Sequence, residues 1–254
     1  MTSPDHSADR SGDRNVDEGD DPDGYEAWRA RSRLVLTPVA APSILGWFAF
    51  GAATFTVASN MAEWWGNNVF SPVILAPFVI FVGGVAQLLA ATWAYRARDG
   101  LATAMHGVWG GFWLAWGVLV LLTASGTMPV VVISEAAFGF WWIAAAVITL
   151  FGALAALGQN LSTFLTLVLL TAGSSLVAAG LIGNVPGVRV AAGWVLVAAG
   201  AAAFYTAGAL LLEQSHSRVV LPLGRWGMRG NVPGHKAIRD IGYPDGMPGA
   251  KPGQ

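Results

Sequence analysis

The residues of this sequence that could act on a solute are uncharged. Thr54, Gln87, Thr166, Ser174, Ser175 and Tyr205 stand inside long apolar runs, where each hydroxyl or amide needs a partner or a wet cavity. A lone Ser or Thr can bond back to its own helix, whereas Gln87 has four hydrogen-bonding capacities to satisfy and is a candidate for a polar path. His106, Trp109, Trp113 and Trp116 follow i, i+3, i+7, i+10 spacing and so share one helix face. Two readings of that face are open: aromatic packing with a histidine near an interface, or a pore wall on which His106 titrates near the reference pKa of about 6.5. Pro42 and Ser43 open the first apolar run. Proline suits a first helical turn, the Ser43 hydroxyl can hold a free amide, and the positive end of the helix dipole attracts a carboxylate; a plain helix start explains the same residues. Asn184 lies in Gly183-Asn184-Val185-Pro186-Gly187, a break that glycine and proline explain without function.

Other chemistries lack their residues. There is no G-x-x-x-x-G-K-[ST] phosphate loop and no H-E-x-x-H, cysteine is absent, and His6, His106, His216 and His235 are scattered. No metal, no cofactor and no enzyme activity are expected, since an acid, base or nucleophile cluster is also missing.

These residues must be positioned by elements that live in lipid. Of 254 residues 54% are hydrophobic and only 11% charged, with net charge −1 and mean hydropathy +0.54. A soluble domain carries about a quarter charged residues. Between Ser43 and Leu212 the charges are Glu63, Arg96, Arg98, Asp99, Glu135 and Arg189 alone, which excludes a soluble single domain and a nucleic-acid binder. Apolar runs near 43–65, 72–95, 104–123, 136–157, 162–182 and 191–212 each match the ~20 residues that a ~30 Å hydrocarbon core requires. They are too long, and too apolar on every face, for barrel strands. The expected fold is therefore all-α: a polytopic membrane protein with a six-transmembrane-helix bundle over residues 34–224. Gly83-Gly84, Gly107, Gly110, Gly111 and Gly117 are expected to let helix backbones approach closely.

Residues 1–33 read as a disordered tail, with eight acids before Gly24 and a basic collar of Arg29, Arg31 and Arg33. The tail lacks the pattern of a secretory signal. Residues 225–254 read as a Gly/Pro-rich tail, with irregular structure expected from about Glu213. Arg29, Arg31, Arg33, Arg96, Arg98, Arg218, Arg225 and Arg229 fall on one side of the six spans and Arg189 on the other, which places both termini in the cytoplasm. Trp64, Trp65, Trp141, Trp142 and Trp194 then mark the outer interface, and Trp93 and Tyr95 the inner one.

Several short motifs occur in order. Ala41-Pro42-Ser43-Ile44-Leu45-Gly46-Trp47-Phe48-Ala49-Phe50-Gly51, Gly83-Gly84-Val85-Ala86-Gln87, Gly110-Gly111-Phe112-Trp113, Ile182-Gly183-Asn184, Tyr205, and Arg218-Val219-Val220-Leu221-Pro222-Leu223-Gly224 resemble the N-P-A-P-L-G-L-x-G-F-G, G-G-x-A-Q, G-x-F-W, I-G-N, Y and R-T-V-L-P-[IL]-G motifs of the acetate uptake transporter family. The resemblance implies a passive or proton-linked path for acetate and similar short monocarboxylates through each six-helix protomer, with protomers in a hexameric ring. It further implies a constriction at Phe50, Trp109 and Leu167. Trp109 replaces the family's usual tyrosine, His106 stands where an aromatic is usual, and Ala94 replaces an acidic residue.

The expected function is a membrane permease or channel for short-chain monocarboxylates in the plasma or inner membrane. Its partners are a small carboxylate, the lipid bilayer and further copies of itself, with no nucleic acid. The substrate-binding candidates are Pro42, Ser43, Thr54, Gln87, His106, Asn184 and Tyr205. A conduit for a small neutral solute such as ammonia, and a non-transporting membrane scaffold, are the alternatives.

Overall fold

The computed structural model describes residues 40–66, 70–129, 134–226 and 231–234. The expected tail over 1–33, and most of that over 225–254, lies outside them. Among the described residues six helices are long and apolar enough to cross a membrane: α1 Pro42–Met61, α2 Ser71–Arg96, α3 Gly100–Ala124, α4 Glu135–Ala156, α5 Leu161–Ile182 and α6 Pro186–His216. Each lies close to an apolar run of the sequence, because a segment in lipid must satisfy its backbone internally and can do so only as a helix. Among the described residues the β-structure amounts to isolated bridging, as between Asn160 and Arg225.

Local chemistry sets the helix starts. The side chains of Asp99, Ser134 and Asn160 accept from Ala102 N, Ala137 N and Thr163 N at 2.9, 3.1 and 2.9 Å, each holding one of the amides a helix leaves free. α1 differs from the expectation. Its cap is Ala41, with proline in the first turn and no side-chain cap hydrogen bond, so Ser43 does not hold a free amide. Pro42 has no N–H to satisfy and its φ is already helical, which makes a capping hydroxyl dispensable.

α2 changes pitch midway. Pro77 cannot donate to the carbonyl one turn before it, and Val79–Ala86 then winds as a π-helix before α-geometry resumes at Gln87. The Gln87 side chain donates to Gly83 O at 2.8 Å in this irregular stretch.

Glycine permits the close crossings. A Cβ on Gly193 would fall 2.5 Å from Ala62 N, and one on Gly200 3.0 Å from Phe55 N, so α6 runs backbone to backbone against the C-terminal half of α1. Gly83, Gly84, Gly110 and Gly117 pack α2 against α3 and α1 in the same way, whereas Gly111 faces open space and Gly107 has only Ala91 nearby, at 3.8 Å. The last two depart from the expected close packing because α3 and α4 barely touch along this face. Between them runs an apolar groove lined by Gly107, Gly111, Ala115 and Trp141.

Two further expectations are corrected. Trp142 is buried, not interfacial: adjacent helical residues point about 100° apart, so Trp141 faces outward while Trp142 packs 5.0 Å from Phe112. Irregular structure does not begin at Glu213. α6 continues to His216 and stops at Ser217, whose φ is 53°. The following segment is a docked strap: Val219 and Leu223 are buried, Gly224 O and Leu223 O accept from Leu161 N and Ser162 N at 3.0 Å each, and the Arg225 guanidinium meets Glu213 at 2.9 Å. The Trp226 indole donates to Leu157 O. The strap thus satisfies amides at the start of α5, which lipid would leave orphaned.

Candidate solute path

α1, α3 and α5 contribute three matched sets of side chains. On α1 these are Ser43 and Trp47, then Phe50, then Thr54, Val57 and Met61; on α3 they are His106, then Trp109, then Trp113 and Trp116; on α5 they are Thr163, then Leu167, then Leu170 and Val177. Steps of three and four residues keep each set on one helix face, and Trp47 to Thr54 covers about 10 Å of rise. The third members line a cavity of about 420 Å³, completed by Trp142 and Phe138 of α4 and by Arg189 near the start of α6. The first members line a small cavity of about 20 Å³ with Asp99 and Gln159. Between the two, Phe50 and Leu167 are buried in one apolar cluster with Trp109, so the bundle is closed at this level.

The closure is a chain of edge-to-face aromatic contacts. Trp47 lies 5.3 Å from His106 and 6.0 Å from Phe50, and Phe50 lies 5.9 Å from Trp109. Offset and T-shaped geometries are the favourable ones for π-systems. Trp109 is held by more than packing: its Nε1 donates to Thr149 Oγ1 at 3.1 Å, and Thr149 donates to Ala145 O at 2.7 Å. Thr149 was not singled out from the sequence, although it is the only hydroxyl in α4, and that isolation was the available signal. His106 is 2% exposed and sits against bare backbone, since a Cβ on Gly46 would fall 2.3 to 2.5 Å from three imidazole atoms.

The larger cavity is neutral through most of its depth. Thr54 Oγ1, Trp113 Nε1 and Trp142 Nε1 belong to residues lining it and are buried without a hydrogen-bond partner. An indole N–H can only donate, and a buried donor left unpaired costs about 1–3 kcal/mol. A solute bearing acceptor oxygens would relieve that cost.

The structure brings Phe50, Trp109, Leu167, Ser43, Thr54 and His106 together along this axis and places the other candidates elsewhere. Pro42 begins α1 beside Ser43. Gln87 is fully buried, bonded to its own helix, and its Cβ is 3.1 Å from the position of a Cβ on Gly110; it is sealed between α2 and α3. Asn184 forms the turn before α6 with φ 50°. The Tyr205 hydroxyl donates to Pro222 O at 2.7 Å on an exposed face, tying down the strap. Thr166 and Ser162 meet Thr206 in an α5–α6 contact at 3.5 and 2.6 Å.

Comparison with known proteins bears on this arrangement. The succinate-acetate/proton symporter SatP of Escherichia coli (strain K12) is 28% identical over 190 residues, covering 74% of this chain and 97% of SatP. An uncharacterized protein of Methanothermobacter thermautotrophicus is 28% identical over 199 residues, covering 74% and 93% of the two chains. The solved structure of the bacterial acetate channel SatP matches with a TM-score of 0.68 at 26% identity, covering 74% of this chain and all of that one. The model of the GPR1/FUN34/yaaH family matches residues 31–225, and with the six helices and the motifs on their facing sides this chain belongs to that family.

Proposed function

We propose that this multi-pass membrane protein is a permease or channel for acetate and similar short-chain monocarboxylic acids. The observation that carries the reading is the pair of cavities on one axis, separated by Phe50, Trp109 and Leu167, with unpaired neutral donors bordering the larger one. SatP, which is similar over most of both chains, is named for acetate and succinate. A scaffold has no use for unpaired donors around an internal cavity.

The substrate crosses the closure as the neutral acid. A carboxyl group with a pKa near 4 is ionised at neutral pH, and a bare carboxylate in apolar surroundings costs several kcal/mol or more. Phe50 and Leu167 have no donor to offer, and the Trp109 N–H is already held by Thr149. The acid is therefore recognised in the larger cavity by Thr54 and the indoles, passes the rings when they move apart, and leaves past His106 and Ser43. Proton linkage follows from the protonated form being the one that crosses. Pro42, Gln87, Asn184 and Tyr205 support this path by fixing α1, α2, the α5–α6 turn and the strap.

The small cavity is on the cytoplasmic side in this reading. Arg96, Arg98, Arg218 and Arg225 lie beyond the helix ends that carry Asp99 and Gln159, whereas Arg189 is at the opposite ends. The positive-inside rule then places both termini in the cytoplasm of a cell whose plasma or inner membrane houses the protein. Residues 34–224 form the transport domain, flanked by tails over 1–33 and 225–254, and six copies assemble as a ring.

Uptake of labelled acetate into liposomes tests the proposal. It should exceed that of empty liposomes, rise with an inside-alkaline gradient, and saturate with inhibition by propionate. Phe50→Ala should raise the flux of propionate relative to acetate. Uptake equal to empty liposomes would overturn the proposal, and uptake of ammonia without acetate competition would favour a neutral-solute conduit.

A further inference from the structure

We infer that Arg189 is the carboxylate-capturing group at the mouth of the larger cavity, and that Glu135 competes with the substrate for it. The inference rests on the carboxylic-acid reading above and assigns a residue that neither the motifs nor the closure pointed to. Arg189 is the one Arg or Lys among the residues lining that cavity. It stands in the first turns of α6, with its aliphatic stem over Gly180, where a Cβ would fall 2.7 Å from the Arg189 Cγ. Across the mouth its Nη1 meets Glu135 Oε2 at 3.1 Å, the side chains being 28% and 54% exposed.

That contact is replaceable. A guanidinium presents five N–H donors and pairs most strongly with a carboxylate through two parallel bonds. Here one donor is used, and the other four have no partner among the described residues. An exposed single-contact pair contributes little to stability, so an incoming carboxylate that engages two donors can displace Glu135. The rim makes the choice consequential. Glu63 also lines the cavity, so Glu63, Glu135 and Arg189 sum to a formal charge of −1, which repels an anion except at the guanidinium. Deeper in, the groups are neutral. Recognition of charge thus belongs to the mouth, and recognition of acceptor oxygens to the interior.

Concentration-dependent acetate uptake in proteoliposomes tests this on wild type, Arg189→Gln, Arg189→Lys, Glu135→Gln and the double variant Arg189→Gln/Glu135→Gln. Arg189→Gln should raise KM about fivefold with little change in maximal rate, the scale of one exposed charge contact. Arg189→Lys should fall between it and wild type. Glu135→Gln should lower KM, and by less once Arg189 is gone, when only its repulsion of the anion is removed. Added salt should raise the wild-type KM but not that of Arg189→Gln, whose rim keeps only the acids Glu63 and Glu135. If Glu135→Gln and Arg189→Gln raise KM alike, or if Arg189→Gln leaves it unchanged, the pair is a tie between α4 and α6 and the inference fails. Acetate quenching of tryptophan fluorescence gives a second readout. Binding weakened by Arg189→Gln supports capture even if no uptake occurs, in which case the transport proposal alone is lost; binding unaffected by the substitution overturns capture.

Discussion

Replacing Thr149 by valine tests whether the pose of Trp109 is set by a hydrogen bond. The substitution keeps the branched shape and removes the hydroxyl that accepts from Trp109 Nε1 at 3.1 Å, within a fully buried contact between α3 and α4. The Ala145 carbonyl keeps its helical partner, so the loss falls on the indole, which becomes a third unpaired indole N–H beside those of Trp113 and Trp142. The full cost of a buried orphan is about 1–3 kcal/mol. Interhelical bonds in membranes measure lower, near 0.6 and at most about 1.7 kcal/mol, because the unfolded chain in lipid also finds partners. Thr149→Val should therefore destabilise by about 0.6–1.7 kcal/mol, threefold to twentyfold in an unfolding equilibrium. The Trp109→Phe background has no donor to orphan, so there the same change should cost close to nothing. Denaturant unfolding in detergent of both single variants and the double variant supplies the cycle. Uptake of propionate and acetate by the same proteins should show a changed ratio in Thr149→Val. Equal costs in both backgrounds, with an unchanged ratio, would refute the argument.

Two other substitutions probe the frame around the path. Gly46→Ala would place a methyl 2.3 to 2.5 Å from the His106 ring and should destabilise by about 1–3 kcal/mol, the usual cost of overpacking; adding His106→Ala should restore most of the loss in the same unfolding assay. Arg225→Ala would strip the partner from Glu213, which is 7% exposed and whose Oε2 is already unpartnered. It should cost on the order of 2–3 kcal/mol, less than a fully buried pair because Arg225 itself is partly solvated. Limited proteolysis should then cut within 217–226, while Glu213→Gln should be milder.

Much of the site was legible as spacing. Trp47, Phe50 and Thr54, or His106, Trp109 and Trp113, fall on one face by arithmetic, and the scarcity of charge marked that face as neutral. What spacing leaves open is which neighbour a face meets. Gln87 and Thr54 look alike in sequence, as polar groups in apolar runs, yet one is spent on a π-helical carbonyl and the other borders a cavity. Trp141 and Trp142 are adjacent and identical, and α4's rotation alone sends one outward and one inward. Tyr205 reads as a span residue and serves as an anchor for a strap whose docking only the chain's return to α5 reveals.

The sequence by itself therefore determined that six helices cross lipid, roughly where they begin and end, and that no fixed charge lies deep within them. These properties follow from backbone hydrogen bonding and transfer energies, which act segment by segment. Tertiary structure decided which neutral groups share a cavity, that Thr149 holds Trp109, and that Arg189 and Glu135 meet at its mouth. Those outcomes depend on helix rotation and on glycine-permitted approach between segments far apart in the chain, as Gly200 is from Phe55, a geometry that no local pattern encodes.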